Sequence, residues 1–331
     1  MFHRSVRIIA TGKYIPPTVV TNVDLEEKLN LPSGWIEKKI GVFSRHYAMG
    51  ETQSEMAAKA IRDALQSVNM TMEDIDCLVG ANGAMEQAIP SNAALTKKAL
   101  GLEKAIPAFD INSTCLSFLV AMDLVSPMVA AGQYRRVVIF SSDIASNALN
   151  WEHKESCILF GDGAAAVVIE RDDNPRGSKI VASKLATYIE GTHLAEVKGG
   201  GTKLHPREYR ETNKTDYLFH MEGEKMFRLS MKYIPDFFTD LLKSANCKMD
   251  DITMLIPHQA SLTAMKLIQR KLGILDEKFM LTIQEYGNTI AASIPLALHD
   301  AISQGRVKRG DRIILFGTSA GLSIGGMVLE Y

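Results

Sequence analysis

The chain has 331 residues, of which 46% are hydrophobic and 23% charged, with a formal net charge of −1. This composition is typical of a globular protein with about two domains of ordinary size. The near-neutral charge argues against a nucleic-acid-binding protein, which should carry a basic excess. No apolar run reaches the roughly 18 residues needed to span a bilayer, so we expect no membrane span.

Strand-like and helix-like segments alternate along the chain. The predicted strands include Val6–Ala10, Cys77–Ala81, Arg136–Ser141, Ala165–Glu170, Met254–Pro257 and Arg312–Phe316, and Met327–Glu330 closes the second half. The predicted amphipathic or apolar helices are Gln53–Val68, Ser91–Ala99, Leu116–Ala131, Glu224–Asn246, Ser261–Leu272 and Ser293–Gln304. This alternation predicts an α/β architecture with helices packed on mostly parallel strands. Pro127 should kink or break the third of these helices.

The second half of the chain repeats the pattern of the first. Segments of the same type begin at Met72 and Met249 and end in Leu-Gly pairs at Gly101 and Gly273, while Arg136–Phe140 corresponds to Arg312–Phe316. Three correspondences in the same order indicate two related domains, residues 1–175 and 176–331. The turn formers of Asp172–Gly177 provide the linker.

The polar segment Glu190–Tyr217 interrupts the second half. It contains Gly199-Gly200-Gly201 and few periodic apolar positions. We expect a surface excursion that is either flexible or associated with a ligand.

The four cysteines, Cys77, Cys115, Cys157 and Cys247, lie far apart and form no C-x-x-C pair. This spacing favours reduced thiols in a cytoplasmic protein over a disulfide framework or a zinc site.

Cys115 stands where a small polar turn enters a long apolar helix. The helix N-terminus should lower the thiol pKa and offer free N–H groups to an oxyanion. A lone cysteine in such a place is nevertheless more often structural.

Two further polar residues follow strand ends in the second half. His258 follows the strand Met254–Pro257, at the edge where open α/β sheets bind ligands. The offset between the Leu-Gly pairs maps Cys115 onto Gly287, next to Asn288. The two turns should therefore face each other across a pseudo-twofold axis, with Cys115, His258 and Asn288 in one central site.

These three segments resemble the active-site segments of the β-ketoacyl-acyl-carrier-protein synthase III family, within the thiolase superfamily. The resemblance extends over essentially the whole chain. Its further motifs are Ala10–Pro16, Trp35-Ile36, Gly41-Val42, Arg45-His46 and Phe160–Ala164. It implies a thiolase fold, in which two related α/β halves form αβαβα layers around a pseudo-twofold axis.

The resemblance also implies a reaction. Cys115 would carry an acyl group taken from a thioester, and His258 and Asn288 would stabilise the enolate formed when a malonyl thioester loses carbon dioxide. The enolate would attack the acyl-Cys115 carbonyl and give a 3-oxoacyl thioester, as in fatty-acid biosynthesis. The backbone N–H groups of Cys115 and Ala320 would form the oxyanion hole.

The family pattern further implies a homodimer that uses coenzyme A or phosphopantetheine thioesters, from acyl-CoA and acyl carrier protein, with no metal or tightly bound cofactor. The residues implied in substrate binding are Trp35, Lys39, Lys154, Ile89, Gly223 and Phe227. Ile89 would reach the partner's acyl pocket. The basic residues implied in docking of the carrier protein are Arg228, Arg270 and Lys271, with Lys232 and Lys266 nearby.

The entrance departs from the family pattern at Ser261 and Thr263, at Lys39 and Lys154 in place of arginines, and in the final turn Gly317–Gly321. One alternative is therefore a secondary-metabolism relative that joins two acyl chains, or transfers an acyl group to oxygen or nitrogen without decarboxylation, with Glu86 as base. Another is a non-enzymatic partner subunit that binds acyl chains or carrier protein.

Overall fold

The computed structural model describes residues 4–331. The strands are β1 (Val6–Tyr14), β2 (Thr18–Thr21), β3 (Ser44–Tyr47), β4 (Cys77–Gly80), β5 (Ala108–Asp110), β6 (Arg136–Asp143), β7 (Gly163–Arg171), β8 (Lys179–Thr187), β9 (Ala195–Glu196), β10 (His220–Met221), β11 (Met254–Pro257), β12 (Arg312–Ser319) and β13 (Ser323–Glu330). The α-helices are α1 (Asn22–Lys28), α2 (Trp35–Ile40), α3 (Gln53–Gln66), α4 (Asn92–Leu100), α5 (Ser117–Ala130), α6 (Lys154–Cys157), α7 (Gly223–Ser244), α8 (Leu262–Lys271), α9 (Ile283–Tyr286) and α10 (Ser293–Ser303). Every predicted strand and helix forms, with ends that differ by a few residues, and α5 continues through Pro127.

Two mixed sheets form the body of the protein. The first has the order β1-β7-β6-β4-β5 and the second the order β11-β12-β13-β8. Among the strands of residues 4–331 in these two sheets, only β4–β5, β4–β6 and β11–β12 pair in parallel, whereas β1, β7, β13 and β8 pair antiparallel with their neighbours. The prediction of mostly parallel strands is therefore wrong. Three residues connect β12 to β13, which is too short for the crossover that a parallel pair requires.

The two sheets have the same internal order. In the second sheet β8, β13, β12 and β11 take the places of β1, β7, β6 and β4. The position equivalent to β5 is occupied by a single parallel bridge from Phe279 to Leu255 of β11. The division of the chain at residue 175 stays a prediction, and residue 175 lies in the connection between β7 and β8.

Helices and sheets alternate in five layers. Apolar residues of α5 and α10 pack between the two sheets, α3 and α4 cover the outer face of the first sheet, and α7 and α8 cover the outer face of the second. Successive side chains along each strand point to opposite faces of the sheet, as in any pleated strand. Val137 and Ile139 point into the central layer, while Val138 and Phe140 join the outer one. This is the αβαβα arrangement of the thiolase fold.

Small residues set the spacing between α3 and the first sheet. Ala60 and Ala64 of α3 are fully buried, and a Cβ on Gly12 of β1 would lie 2.2 Å from the Ala64 backbone nitrogen. Thr52 and Glu55 form a capping box at the start of this helix, which satisfies N–H groups that the first turn leaves unpaired.

Candidate active site

The predicted nucleophile lies in a 3₁₀ turn, Thr114–Leu116, at the entrance to α5. Thr114 has a φ of +49°, and its N–H donates to the side-chain oxygen of Asn112 at 3.0 Å. The hydroxyl of Ser117 accepts the Ser113 N–H at 2.8 Å. These local bonds hold the turn in its left-handed conformation and set Cys115 between the two sheets.

The second half builds the same turn. Ile290–Ala292 is a 3₁₀ turn before α10, Ile290 has a φ of +51°, and its N–H donates to Asn288 Oδ1 at 2.9 Å. The counterpart of Cys115 is therefore Ala291, and the predicted correspondence to Gly287 is wrong. The second half has extra residues between Gly273 and the turn, so the offset measured at the Leu-Gly pairs no longer applies there.

His258 follows β11 and is 5% exposed. The backbone N–H of His258 donates to the Phe316 carbonyl at 2.7 Å. The ring nitrogen Nδ1 lies 2.6 Å from Ser293 Oγ. A Cβ on Gly317 would approach the His258 Cβ to 2.7 Å, so only glycine lets the neighbouring strand pass this close. Burial lowers the pKa of His258 to about 4. The imidazole is therefore neutral at pH 7.

A cavity of about 840 Å³ brings the predicted residues together. Cys115, His258, Asn288 and Ala320 all line it, as do Lys39, Gly223 and Phe227. Ala195, Glu196 and Val197 of the polar excursion form part of its wall, so this segment is associated with the cavity.

The expected lowering of the Cys115 pKa is wrong. Burial raises the pKa of the thiol to about 12, and the carboxylate of Asp143 acts in the same direction. The backbone N–H groups of Cys115 and Ala320 act in the opposite direction. These are the two groups expected in the oxyanion hole, and both bear on the sulfur, but removal of the thiolate from water outweighs their effect.

Of the other predicted binding residues, Lys39 lies on the cavity wall, whereas Trp35, Lys154 and Ile89 do not line the cavity. Lys39 Nζ is 2.8 Å from Glu155 Oε1 and 5.9 Å from the centre of the Trp35 ring. Trp35 is half-buried and Lys154 is exposed, and neither is among the residues that line the cavity. Ile89 is 83% exposed on this chain.

The basic residues expected in docking are exposed. Arg228 forms an ion pair with Glu224, whereas Arg270 and Lys271 end α8 at the surface. Glu86, the base of the alternative reaction, does not line the cavity. Its carboxylate instead accepts the Ser54 N–H at 2.7 Å, at the N-terminus of α3.

Sequence reasoning missed Asp143, which ends β6 and is fully buried. Its carboxylate accepts the N–H groups of Gly83 and Ala84, each at 2.9 Å, and of Ala291 at 3.1 Å. It thus ties the loop after β4 to the turn that follows Asn288. Burial raises the pKa of Asp143 to about 7. Its place at the carboxyl end of a central strand is the same signal that identified His258.

Two kinds of feature are absent from residues 4–331. No group of three or more His, Cys, Asp or Glu side chains is placed to hold a metal ion in this range. In the same range, no helix combines the length and apolar character needed to cross a membrane.

Comparison with known proteins agrees with this geometry. Family models described as "3-Oxoacyl-[acyl-carrier-protein (ACP)] synthase III" and its C-terminal part match residues 109–188 and 242–331. The β-ketoacyl-[acyl-carrier-protein] synthase III of Aquifex aeolicus is 35% identical over 98% of this chain and 99% of its own length. The synthase of the same name from Clostridium perfringens is 34% identical over 98% and 99%.

Solved structures give the same result. The 3-oxoacyl-[acyl-carrier-protein] synthase III of Aquifex aeolicus superposes with a TM-score of 0.89 at 32% identity, and covers 98% of this chain and 100% of its own. The synthase III of Pseudomonas aeruginosa superposes with a TM-score of 0.88 at 26% identity, over 99% and 98%. The chain belongs to the β-ketoacyl-[acyl-carrier-protein] synthase III family.

Proposed function

We propose that the chain catalyses the decarboxylative Claisen condensation of an acyl thioester with a malonyl thioester, through an acyl group on Cys115. The observation that carries this proposal is the meeting of Cys115, His258 and Asn288 in one cavity. The family's name, a β-ketoacyl synthase, describes the product of this reaction. A 3-oxoacyl product agrees with condensation and not with the alternative of transfer to oxygen or nitrogen, which would give an ester or an amide.

The first step transfers the acyl group. The Cys115 sulfur attacks the thioester carbonyl, the bond to the carrier sulfur breaks, and the thiol proton ends on the departing carrier thiol. The negative charge of the tetrahedral intermediate lies on the former carbonyl oxygen. The N–H groups of Cys115 and Ala320 are placed to hold this charge, because both already face the sulfur.

The second step forms the carbon–carbon bond. The malonyl thioester loses carbon dioxide, and the electron pair of the broken bond forms an enolate. A neutral His258 and the Nδ2–H of Asn288 donate to the enolate oxygen without giving up a proton. The enolate carbon then attacks the acyl-Cys115 carbonyl. The Cys115 thiolate leaves and takes a proton from solvent.

We also propose a homodimer that receives a carrier protein. Ile89 and Met85 are 83% and 65% exposed in the connection between β4 and α4, which favours burial against a second copy, where Ile89 reaches the partner's cavity. Arg270 and Lys271 are exposed on α8, whose Thr263, Ala264 and Leu267 line the cavity. They provide the positive charge that an acidic carrier protein would contact. Lys39, Gly223 and Phe227 of the cavity wall, with Trp35 and Lys154 outside it, would contact the pantetheine or nucleotide.

Replacement of two cysteines tests the reaction. Cys247 is also a partly exposed free thiol but does not line the cavity, so C247A is the matched control for C115A. After incubation with acetyl-CoA, mass spectrometry of the peptides should find the acetyl group on Cys115 in wild type and in C247A. Turnover with a malonyl thioester should persist in C247A and vanish in C115A. Turnover by C115A, or an adduct on another residue only, contradicts the proposal.

A further inference from the structure

We propose that Ser293 is a positioning residue that fixes the tautomer of His258, so that Nε2 carries the imidazole proton and faces the cavity as a donor. Ser293 begins α10 and is 1% exposed. Its Oγ lies 2.6 Å from His258 Nδ1, and Nδ1 has no other hydrogen-bond partner within residues 4–331. The inference rests on the proposed condensation, because it assigns a role to Ser293 in that reaction.

The hydroxyl of Ser293 has one proton and two acceptors within reach. One is His258 Nδ1, and the other is the Ile290 carbonyl, 2.9 Å from Oγ. The Ile290 carbonyl already accepts the backbone N–H of Ser293, so it is satisfied without the hydroxyl. The Gln259 N–H points at Oγ from 3.4 Å and occupies one of its lone pairs. These contacts direct the hydroxyl proton to Nδ1.

The distances support the same assignment. A contact of 2.6 Å is typical of an O–H donor, whereas N–H donors usually lie 2.9–3.0 Å from oxygen. The repeated turn offers an internal comparison, because Ser117 stands where Ser293 does but no histidine faces it. Ser117 Oγ is 2.7 Å from its own turn carbonyl, Thr114 O. In the second turn the carbonyl contact is the longer one, and the short contact goes to His258.

The tautomer decides what His258 can do. A neutral imidazole has one N–H and one lone pair. If Nδ1 accepts from Ser293, the N–H is on Nε2, and it joins the Nδ2–H of Asn288 as a donor to the enolate oxygen. If Nδ1 carried the proton, a lone pair would face the developing negative charge and raise the barrier.

The tautomer can be measured in wild-type protein. Histidine labelled with ¹⁵N gives separate shifts for protonated and unprotonated ring nitrogens, and the signals missing from H258N identify His258. We expect the Nε2–H tautomer in wild type, a mixture in S293A, and the Nε2–H tautomer again in S293T. An Nδ1–H tautomer in wild type, or an S293A spectrum equal to wild type, overturns the proposal.

The two half-reactions give a second readout. S293A should slow condensation about tenfold, which is less than the 10²–10³-fold loss of rate caused by removing a whole oxyanion donor. The rate of Cys115 acylation should change less than about twofold. S303A is the matched control, because Ser303 is on the same helix and its hydroxyl donates to a carbonyl, Asp300 O, away from the site. Equal losses in both half-reactions contradict the proposal. Absence of acyl-Cys115 in wild type would instead refute the proposed function and leave the tautomer measurement unaffected.

Discussion

Replacement of Asn288 by aspartate keeps the shape of the site, removes one donor and adds a carboxylate. Asn288 is 6% exposed, and its Oδ1 accepts the Ile290 N–H that supports the turn. Aspartate keeps this acceptor. What it loses is Nδ2, which makes only a long bond of 3.4 Å to the Ala260 carbonyl and has a second N–H free for the cavity. The change therefore separates support of the turn from donation to the enolate.

We expect N288D to slow decarboxylative condensation by at least 10²–10³-fold, or about 2.7–4 kcal/mol, the usual effect of removing one oxyanion donor, because the added carboxylate also repels the enolate. Acylation of Cys115 should stay within about threefold, because the oxyanion hole of that step uses backbone N–H groups. The assay measures acyl-Cys115 by mass spectrometry and carbon dioxide release from the malonyl thioester. N246D, at an exposed asparagine after α7, is the control. Equal loss of both steps, or retention of both, refutes the assignment of Asn288 to the enolate.

Three further outcomes follow from the site. E155Q releases Lys39 from its ion pair at the cavity wall and should lower the KM for acetyl-CoA up to about fivefold, which corresponds to the interaction energy of an exposed ion pair. The KM for acetyl-pantetheine, which lacks the phosphates, should not change. Because the pKa of His258 falls from 6.5 to about 4 on folding, the unfolded chain binds more protons between these values. The free energy of unfolding should therefore drop by about 3 kcal/mol as the pH falls from 6.5 to 4, and urea titrations of H258N should lack this part of the drop. On α8, R270E/K271E should raise the KM for malonyl carrier protein about tenfold, less at high salt, and leave malonyl-pantetheine unaffected. The opposite result in any of these kinetic or unfolding measurements contradicts the role given to that residue.

Local patterns in the sequence were sufficient to predict the elements and the place of the site. Each helix and strand is marked by its own apolar period and its own turn residues. His258 and the Cys115 turn follow strands or begin helices, where α/β sheets present ligand-binding groups. These features need no knowledge of distant contacts, and the structure places both residues on one cavity.

The wrong predictions concern features that depend on distant segments. Strand direction depends on connections whose lengths the alternation of elements does not reveal, as at β12 and β13. The pKa of the Cys115 thiol depends on its burial and on the carboxylate of Asp143, which is distant in the chain and acts on the thiol only in the folded protein. Asp143 and Ser293 act through contacts with residues far away in the chain, so their roles became visible only in the folded protein.

The most direct test of the central claim is a single-turnover chase of isolated acetyl-enzyme. Wild-type protein is acetylated, freed of excess donor and mixed with a malonyl thioester, and the acetyl group on Cys115, carbon dioxide and product are followed together. We predict that one carbon dioxide and one 3-oxoacyl thioester form for each acetyl group lost from Cys115. Loss of the acetyl group without carbon dioxide release, or condensation while Cys115 stays acetylated, would contradict the account.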